Sequence, residues 1–304
     1  MGTIPSELGN CKNLTILDFS VNSLTGNIPE SFGNLSTLQE LFLFVNEISG
    51  EILAQLGNCT ELGFIELDNN SIVGMIPSEI GNLPKLRYLT LSKNELVGPI
   101  PYSISKCQNL QVLDLAYDSL TGNILQGIFQ LEKLKKLLLH SNDLSGEIPK
   151  DIGNCSLFRF RVNDNKLTGP IPREIGNLEY LDALVLGMNQ ISGNVPVEIL
   201  GCRNLRYLDL HSNLITENFP GELSRHVSLK FVDFSDNLIE GTWPLHVLPL
   251  HIVFFSISRN NLSGEIPSLI CNLNLINYLD FSHNHFSMIP PCLGNMSDLI
   301  NLDL

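Results

Sequence analysis

The sequence has little positive charge. It contains 18 Lys and Arg against 32 Asp and Glu, which gives a net charge of −14. Proteins that bind nucleic acid need a basic surface that displaces counterions from phosphate. Anionic membrane surfaces attract basic segments in the same way. The composition therefore argues against nucleic acid as a partner and disfavours an anionic lipid surface.

Long apolar runs are also missing. A membrane-spanning helix needs about 20 consecutive apolar residues, and no stretch of the sequence approaches that length. The first residues do not show a basic region followed by an apolar one, so they do not form a secretion signal. We therefore expect no direct membrane insertion of this segment.

Motifs that carry chemistry are absent. The sequence contains no G-x-S-x-G, no G-x-x-x-x-G-K-[ST], no C-x-x-C and no H-E-x-x-H, so it offers no activated nucleophile, phosphate loop or zinc site of a known pattern. His283 and His285 flank Asn284 and could form half of a metal site, but a solvated turn is the simpler interpretation. The sequence predicts neither an enzyme nor a cofactor.

What the sequence has is a repeat. The frame L-x-x-L-x-L-x-x-N-x-L-x-G-x-I-P recurs with successive starts 24 residues apart in nine cases and 23 in three. The starts are Leu14, Leu38, Leu62, Leu86, Leu110, Leu134, Leu157, Leu181, Leu205, Leu229, Ile252, Ile276 and Leu299. A fixed period of this length indicates a stacked repeat protein. We predict one leucine-rich-repeat solenoid over 1–304, with twelve full copies from 14 to 298 and partial copies at both ends.

Each copy alternates leucine with other residues, as in Leu41-Phe42-Leu43, which is typical of a strand with one buried side. A single copy cannot bury this side alone, so the copies must stack. The fold class is therefore an α/β repeat with a parallel β-sheet on the concave face. The proline-containing G-x-I-P tract predicts short second strands, followed by 3₁₀ or helical turns on the convex side.

Asparagine recurs at the ninth position of the frame, where Asp118 is the single substitution. We expect its amide to bond backbone groups of its own turn and of the next copy. The asparagines are Asn22, Asn46, Asn70, Asn94, Asn142, Asn165, Asn189, Asn213, Asn237, Asn260 and Asn284.

This frame resembles the plant-specific class of leucine-rich repeats over essentially the whole chain. Such repeats occur in receptor-like kinases, receptor-like proteins and polygalacturonase inhibitors. The paired-cysteine caps of those families are missing, because the chain starts in mid-repeat at Gly2 and stops in mid-strand at Leu304. We therefore expect a segment of a longer protein.

Most of the seven cysteines are predicted to be free. Five share one position of the frame and lie two copies apart, roughly 9 to 10 Å, which exceeds the roughly 7 Å limit for a disulfide. They are Cys11, Cys59, Cys107, Cys155 and Cys202, and we expect them to be buried. Cys271 and Cys292 lie in adjacent copies, where a disulfide is possible.

Two groups stand out on the outward positions of the strands, which are the third, fifth, seventh and eighth of the frame. Phe42, Phe44 and Val45 next to Phe64 predict an apolar patch, of the kind that soluble proteins reserve for a partner. Partial burial at the sheet margin is the alternative.

The second group is cationic. Arg159 and Arg161 point to the same face, about 7 Å apart, where they could converge on one carboxylate. Lys136 and His140 on the preceding strand would add positive charge in an otherwise acidic row. Surface ion pairing to Asp164 is the alternative.

Residues 7–242 resemble the receptor-like kinases that bind small secreted peptide hormones, especially the root meristem growth factor receptors. Examples are Asn10-Cys11-Lys12-Asn13-Leu14-Thr15-Ile16 and Phe231-Val232-Asp233-Phe234-Ser235. In that family an Arg-x-Arg pair receives the peptide's C-terminal carboxylate, and Arg159 and Arg161 match it. The family's Arg-x-Gly-Gly element, which reads a sulfated tyrosine, has no match here.

Residues 243–304 look more like kinase-less receptor-like proteins of plant immunity, as in Phe254-Phe255-Ser256-Ile257-Ser258. These resemblances imply an ectodomain segment at the extracellular face of the plasma membrane. Its partners would be a secreted peptide or protein, and a co-receptor with a short leucine-rich-repeat ectodomain. An immune or polygalacturonase-inhibitor-like solenoid that binds a protein, and a non-functional gene fragment, are the alternatives.

N-x-[ST] sequons agree with a secreted surface. The predicted glycosylation sites are Asn13, Asn34, Asn58, Asn154, Asn261 and Asn295. A seventh sequon, at Asn69, would place a sugar on the outward row of the strands, which argues against its use.

Overall fold

A computed structural model describes residues 2–244 and 248–304. The chain divides into two compact units, Met1–Leu157 and Phe158–Leu304. The predicted single solenoid over 1–304 includes residues 1 and 245–247, which lie outside the described part, and its continuity stays a prediction. Each unit consists of parallel β-strands and 3₁₀ turns in a repeating order, which is the fold class predicted from the frame.

One strand of each copy belongs to a parallel sheet, which we call the main sheet of that unit. The main-sheet strands of the first unit are Ile16–Asp18, Glu40–Phe42, Phe64–Glu66, Tyr88–Thr90, Val112–Asp114 and Lys136–Leu138. Those of the second unit are Arg159–Arg161, Ala183–Val185, Tyr207–Asp209, Phe231–Asp233, Phe254–Ser256, Tyr278–Asp280 and Asn301–Asp303.

The strand register follows the sequence period. Leu17 pairs with Leu41, Leu41 with Ile65, and Ile65 with Leu89, and all four side chains are buried. Because the side chains of a strand alternate, the residues before and after each of these point to the outside. Stacking therefore buries the leucine side of every copy and leaves one continuous outer row within each unit.

A second strand follows in most copies and forms what we call the second sheet. In the first unit it comprises Gly2–Thr3, Leu24–Gly26, Glu47–Glu51, Ser71–Gly74, Glu95–Pro99, Ser119–Asn123 and Asp143–Glu147. In the second unit Lys166–Gly169, Gln190–Gly193 and Leu214–Ile215 pair in order, and a separate sheet holds Glu240–Thr242, Asn261–Glu265 and His285–Met288.

The break between these two sheets coincides with two sequence changes. Glu217 stands where other copies have a positive-φ glycine, and it keeps that backbone conformation, with φ 67°. Beyond it lies a buried aromatic cluster, in which the Phe219 and Trp243 rings stack with centroids 4.9 Å apart. Trp243 also meets Phe255 and Phe281 edge-on. Large rings here fill space that aliphatic side chains fill elsewhere, and a bridge between Asn218 and Glu240, with the Glu240 N–H donating to Glu217 O, takes the place of regular strand pairing.

Short 3₁₀ turns close most copies. A preceding proline, such as Pro29 with φ −68° and ψ 134°, holds the chain extended up to the start of the turn. The turns of the first unit are Ser6–Asn10, Glu30–Asn34, Ala54–Asn58, Ser78–Asn82, Tyr102–Lys106, Gln126–Gln130 and Lys150–Asn154. Those of the second unit are Arg173–Asn177, Val197–Gly201, Gly221–Arg225, Ser268–Asn272 and Pro291–Asn295.

The ninth-position asparagines form a largely half-buried ladder, but in the opposite direction from the prediction. Asn46 Nδ2 donates to the carbonyl oxygens of Leu43 in its own copy and of Phe19 in the preceding copy. Asn46 Oδ1 accepts from the N–H of Leu24, also in the preceding copy. The expected contact with the next copy was wrong, because the turn that leaves each strand bends back over the copy before it.

The residue before each ladder position adopts the left-handed conformation, which the frame did not predict. Even the β-branched Val21 and Val45 have φ near 54°, a region that costs non-glycine residues about 1 to 2 kcal/mol. The tight turn places the carbonyls toward the asparagine amide, so the ladder hydrogen bonds offset this cost.

The cysteines follow the prediction with one exception. Cys59, Cys107, Cys155 and Cys202 are free and buried, whereas Cys11 is free and exposed. The Cys59 and Cys202 thiols donate to carbonyls of the preceding copy, Phe32 O and Ile175 O. Cys11 has no preceding copy in this chain to cover it. Cys271 and Cys292 are joined by a disulfide, with Cα atoms 6.0 Å apart.

Candidate ligand-binding face

The outer face of the first unit's main sheet is acidic. Glu66 and Asp114 are half-buried, and burial is the main cause that raises the pKa of each carboxyl. Asp68, Glu40 and Asp18 raise the pKa of Glu66 further by charge repulsion. The negative charge of this row of carboxylates repels an anionic ligand and attracts a cationic one.

An aromatic group lies on the strands between those of Asp18 and Asp114. The rings of Phe42 and Phe64 meet edge-on with centroids 6.3 Å apart, and Phe64 stacks on Tyr88 at 4.9 Å. The Arg87 guanidinium lies 4.7 Å from the centre of the Phe64 ring. The sequence prediction did not include Tyr88 and Arg87, although Tyr88 shares the third frame position with Phe64.

The other two members of the predicted apolar patch, Phe44 and Val45, differ in exposure. Phe44 is half-buried, while Val45 is 42% exposed and occupies the left-handed position of its copy. The patch is therefore made chiefly of half-buried aromatic rings, so it combines the predicted partner surface with the alternative of partial burial.

Lys136 and His140 belong to the last copy of the first unit. Lys136 is half-buried on the strand Lys136–Leu138, and its charge lowers the pKa of Asp114 against the effect of burial. His140 meets the Tyr117 ring edge-on at 4.9 Å. Their predicted share in a cationic spot stays a prediction.

Arg159 and Arg161 lie on the first main-sheet strand of the second unit, on either side of the buried Phe160. Both arginines are half-buried, and their Nε atoms are buried without a hydrogen-bond partner in the part of the chain that the structure describes. The Arg159 guanidinium lies 5.6 Å from the Phe158 ring.

Asp164 does not neutralise this pair. It is exposed, in the left-handed position of its copy, and no ion pair joins it to either arginine within the described residues. The alternative of a simple surface ion pair with Asp164 was therefore wrong.

The copy after the arginine strand is flat on its outer side. Its third, fifth and seventh positions carry Ala183, Val185 and Gly187, which are buried, and Met188 at the eighth position is 49% exposed. The larger Tyr207 follows, and the positive charge of Arg161 acts on it by lowering its pKa, although burial raises that pKa more. The arginines and Tyr207 therefore stand on two sides of a shallow apolar step.

Tyr207 begins an aromatic ladder along the second unit. Its ring stacks on Phe231 at 4.0 Å, Phe231 on Phe254 at 4.2 Å, and Phe254 on Tyr278 at 4.3 Å, with nearly parallel planes. All four residues occupy the third frame position. Reading that column down the frame would have predicted the ladder, whereas reading each copy separately did not.

The remaining predicted residues are placed as follows. The six sequon asparagines Asn13, Asn34, Asn58, Asn154, Asn261 and Asn295 are exposed, and their glycosylation stays a prediction. His283 and His285 are exposed at the end of their copy. Among the described residues there is no helix with the length and apolar character needed to cross a bilayer.

Comparison with known proteins identifies the repeat. The leucine-rich-repeat family matches residues 13–35, 85–107, 133–155, 204–226, 251–273 and 276–296. The structure of a plant peptide hormone receptor, RGFR1, in complex with RGF2 is similar with 48% identity and a TM-score of 0.95, covering 98% of this chain and 48% of that chain. The matched repeats are leucine-rich repeats, and the chain resembles a segment of this plant receptor over nearly its whole length.

Other relatives agree with this assignment. The structure of PEPR1 with AtPEP1 has 33% identity and a TM-score of 0.88 over 100% of this chain and 46% of that chain. Receptor-like protein 41 of Arabidopsis thaliana is 42% identical over 50 residues, which are 16% of this chain and 6% of the relative. The chain thus spans less than half of these relatives. Its fold is that of ligand-binding receptor domains, and the chain carries no kinase domain.

Proposed function

We propose that this plant leucine-rich-repeat segment binds a small secreted peptide on the outer face of its main sheet, at the extracellular face of the plasma membrane. The peptide's C-terminal carboxylate would bind Arg159 and Arg161. A carboxylate is the group that two neighbouring guanidiniums hold best, through charge-assisted hydrogen bonds.

The observation that carries the proposal is the state of the two arginines. Each has a buried Nε–H without a partner among the described residues. Both guanidiniums are half-buried on the outer face and form no ion pair among the described residues, so an anionic group from outside would be their charge partner. The shallow step over Ala183 and Val185 leaves room for the residue that carries that carboxylate.

The similar structures support the ligand class. RGFR1 is described in complex with RGF2, PEPR1 with AtPEP1, and HAESA with the peptide hormone IDA and the co-receptor SERK1. By analogy we include a peptide ligand and a co-receptor among the partners of this chain.

The test is calorimetric titration of the full chain with RGF2, once with a free and once with an amidated C-terminus. We expect amidation, Arg159→Ala and Arg161→Ala each to weaken binding by about 10- to 100-fold, since hydrogen bonds between charged groups contribute about 1.5 to 3 kcal/mol. The exposed Arg173→Ala is the matched control and should bind like wild type. Amidation should cost little in Arg161→Ala.

Equal affinities in all four combinations of free or amidated peptide with wild type or Arg161→Ala would reject the carboxylate assignment. Lys136→Ala and His140→Ala extend the same series. If these two residues contribute to the cationic spot, each alanine variant should lower the affinity for the free peptide more than the affinity for the amidated peptide.

A second candidate function rests on the aromatic group of the first unit. Half-buried Phe64 and Tyr88 with Arg87 are the residue types that dominate protein interfaces, and they favour recognition of a protein ligand by this part of the chain. Phe64→Ala and Tyr88→Ala should then abolish capture of that protein without changing RGF2 binding. Loss of RGF2 binding instead would assign the aromatic group to the peptide site.

A further inference from the structure

Three side chains on the outer face of the second unit converge in a way that peptide recognition does not require. One ligand atom each of Asp209, His211 and Asp233 lies within 4.8 Å of the others. Across residues 2–244 and 248–304 it is the one group of three or more His, Cys, Asp or Glu side chains with this geometry. Asp209 is nine-tenths buried, with 10% of its side chain exposed.

The strands place these residues at fixed positions. Asp209 and Asp233 are register partners on neighbouring strands of the main sheet, so their carboxylates point to the same face about one strand spacing apart. His211 is two residues beyond Asp209, and its Nδ1 lies 2.6 Å from Asp209 Oδ1. The donors therefore come from two rigid, paired strands rather than from a loop.

Other copies show what is special here. Asp18, Asp233 and Asp280 occupy the same frame position as Asp209, and each accepts hydrogen bonds from a serine two residues later. His140 shares the frame position of His211 but has Leu138, not an aspartate, two residues before it, and Asp114 is followed by Ala116, so Asp209 is the one aspartate of this column with a histidine two residues later. A hydroxyl that closes the turn is thus exchanged for an imidazole, which is a metal ligand.

Gly187 provides the space for the imidazole. A Cβ added to Gly187 would overlap Nδ1 of His211 and would lie 3.0 Å from Oδ1 of Asp209. Any other residue at this position would displace the His211 imidazole and crowd the Asp209 carboxylate. Gly187 in one copy therefore leaves the space that His211 of the next copy fills.

Hydrogen bonds from Ser235 fix the orientation of the Asp233 carboxylate. Both the N–H and the hydroxyl of Ser235 donate to Asp233 Oδ1, at 2.9 and 2.6 Å. In metal sites, hydrogen bonds of this kind orient the side chains that bind the metal. The two carboxylates carry two negative charges at close range, so a cation between them would relieve their repulsion.

We propose that Asp209, His211 and Asp233 form a binding site for a divalent transition-metal ion, with Zn²⁺ as the fitting ion. One imidazole nitrogen with two carboxylate oxygens suits Zn²⁺, whereas Ca²⁺ and Mg²⁺ prefer oxygen ligands alone. Tetrahedral zinc holds neighbouring donors about 3.3 Å apart, so the donors need to move by only about 1 Å. The fourth position faces outward and is open to water or to a ligand group.

The experiment is calorimetric titration of the full chain with Zn²⁺ alone, followed by Co²⁺ absorption spectroscopy, in which an intense visible band reports tetrahedral coordination. We expect one equivalent bound in wild type. His211→Ala and Asp233→Asn should each lower the affinity at least tenfold and remove the band. His283→Ala, an exposed histidine, and Asp280→Asn, an aspartate at the same frame position, are the matched controls and should bind like wild type.

Two outcomes would overturn the proposal: binding that is unchanged in both His211→Ala and Asp233→Asn, or binding that His283→Ala removes. Gly187→Ala supplies an independent arm, because its methyl group displaces the donors without changing any ligand, and it should also weaken Zn²⁺ binding. RGF2 titration of the same variants keeps this test separate from the peptide proposal, since neither result depends on the other.

Discussion

Asp118 Oδ1 accepts a hydrogen bond from the N–H of Leu96 at 2.9 Å, as the asparagines of the ladder do in other copies. Asp118 Oδ2 takes the place of the donating amide nitrogen and is buried without a hydrogen-bond partner. At Asn142 that nitrogen donates to the carbonyls of Leu115 and Leu139. A carboxylate cannot donate to those carbonyls. Burial disfavours its charged form and raises the pKa of Asp118 to about 7.

Asp118→Asn should stabilise the chain at pH 8, because the amide restores the missing donor, by about 1 to 3 kcal/mol. The folded-state pKa of Asp118 lies above the unfolded value of about 3.9. The wild type therefore loses stability as pH rises from about 4 to about 7, and the variant does not. The difference in thermal midpoint should be large at pH 8 and small at pH 4.

Asn142→Asp is the opposite change at a ladder position, and it should create the same pH dependence where none exists now. Urea unfolding at both pH values measures each effect. A difference between Asp118→Asn and wild type that is the same at pH 4 and pH 8 would show that the charge of Asp118 is not the cause.

The cysteines give a prediction that can be read by mass. In the native chain, iodoacetamide should label the exposed Cys11 alone, since burial raises the pKa of Cys107 and Cys155 to about 11 and of Cys202 to about 12, and the thiolate is the reactive form. Unfolding without reduction should expose five thiols. Unfolding with reduction should expose all seven.

Replacing both Cys271 and Cys292 by serine should cost about 3 kcal/mol, as expected for a disulfide that closes a loop of 21 residues. Cys11→Ser is the control and should have no effect on urea unfolding. Seven labelled thiols in the unfolded, unreduced chain would contradict the disulfide.

The repeat frame predicted which side chains are buried and which face outward, because this depends on the period alone. Leu41 is buried and Arg159 lies on the outer face because side chains alternate along a strand, and any register error would reverse both. The direction of the asparagine ladder and the left-handed Val45 depend on how one turn bends over its neighbour. The pairing of His211 with Gly187 depends on two copies at once, so no reading of single copies could find it.

Glu217→Gly should stabilise the second unit modestly. Glu217 has φ 67° where other copies have glycine, which costs an L-residue about 1 to 2 kcal/mol, while glycine adds about 0.5 to 1 kcal/mol of chain entropy to be lost. The expected net gain is below about 1 kcal/mol, measured by urea unfolding.

The control for this change is Gly193→Ala. Gly193 has φ 77°, and a Cβ there would lie 3.8 Å from Pro170 Cβ, an ordinary contact. Its loss of stability therefore reports backbone strain alone and should be about 1 kcal/mol. If Gly193→Ala is neutral, the turn relaxes without cost and Glu217→Gly should be neutral or destabilising.

Trp243 is the single tryptophan of the chain, and it is 6% exposed among Phe219, Phe255 and Phe281. Its Nε1–H is buried with no partner among the described residues. Trp243→Ala should cost about 3 to 5 kcal/mol through the lost packing. Trp243→Phe should cost far less, because it keeps an aromatic ring in the cluster and removes the buried donor that has no partner. Circular dichroism during urea unfolding measures both variants, and a cost for Trp243→Phe as large as that for Trp243→Ala would show that the indole N–H is satisfied in solution.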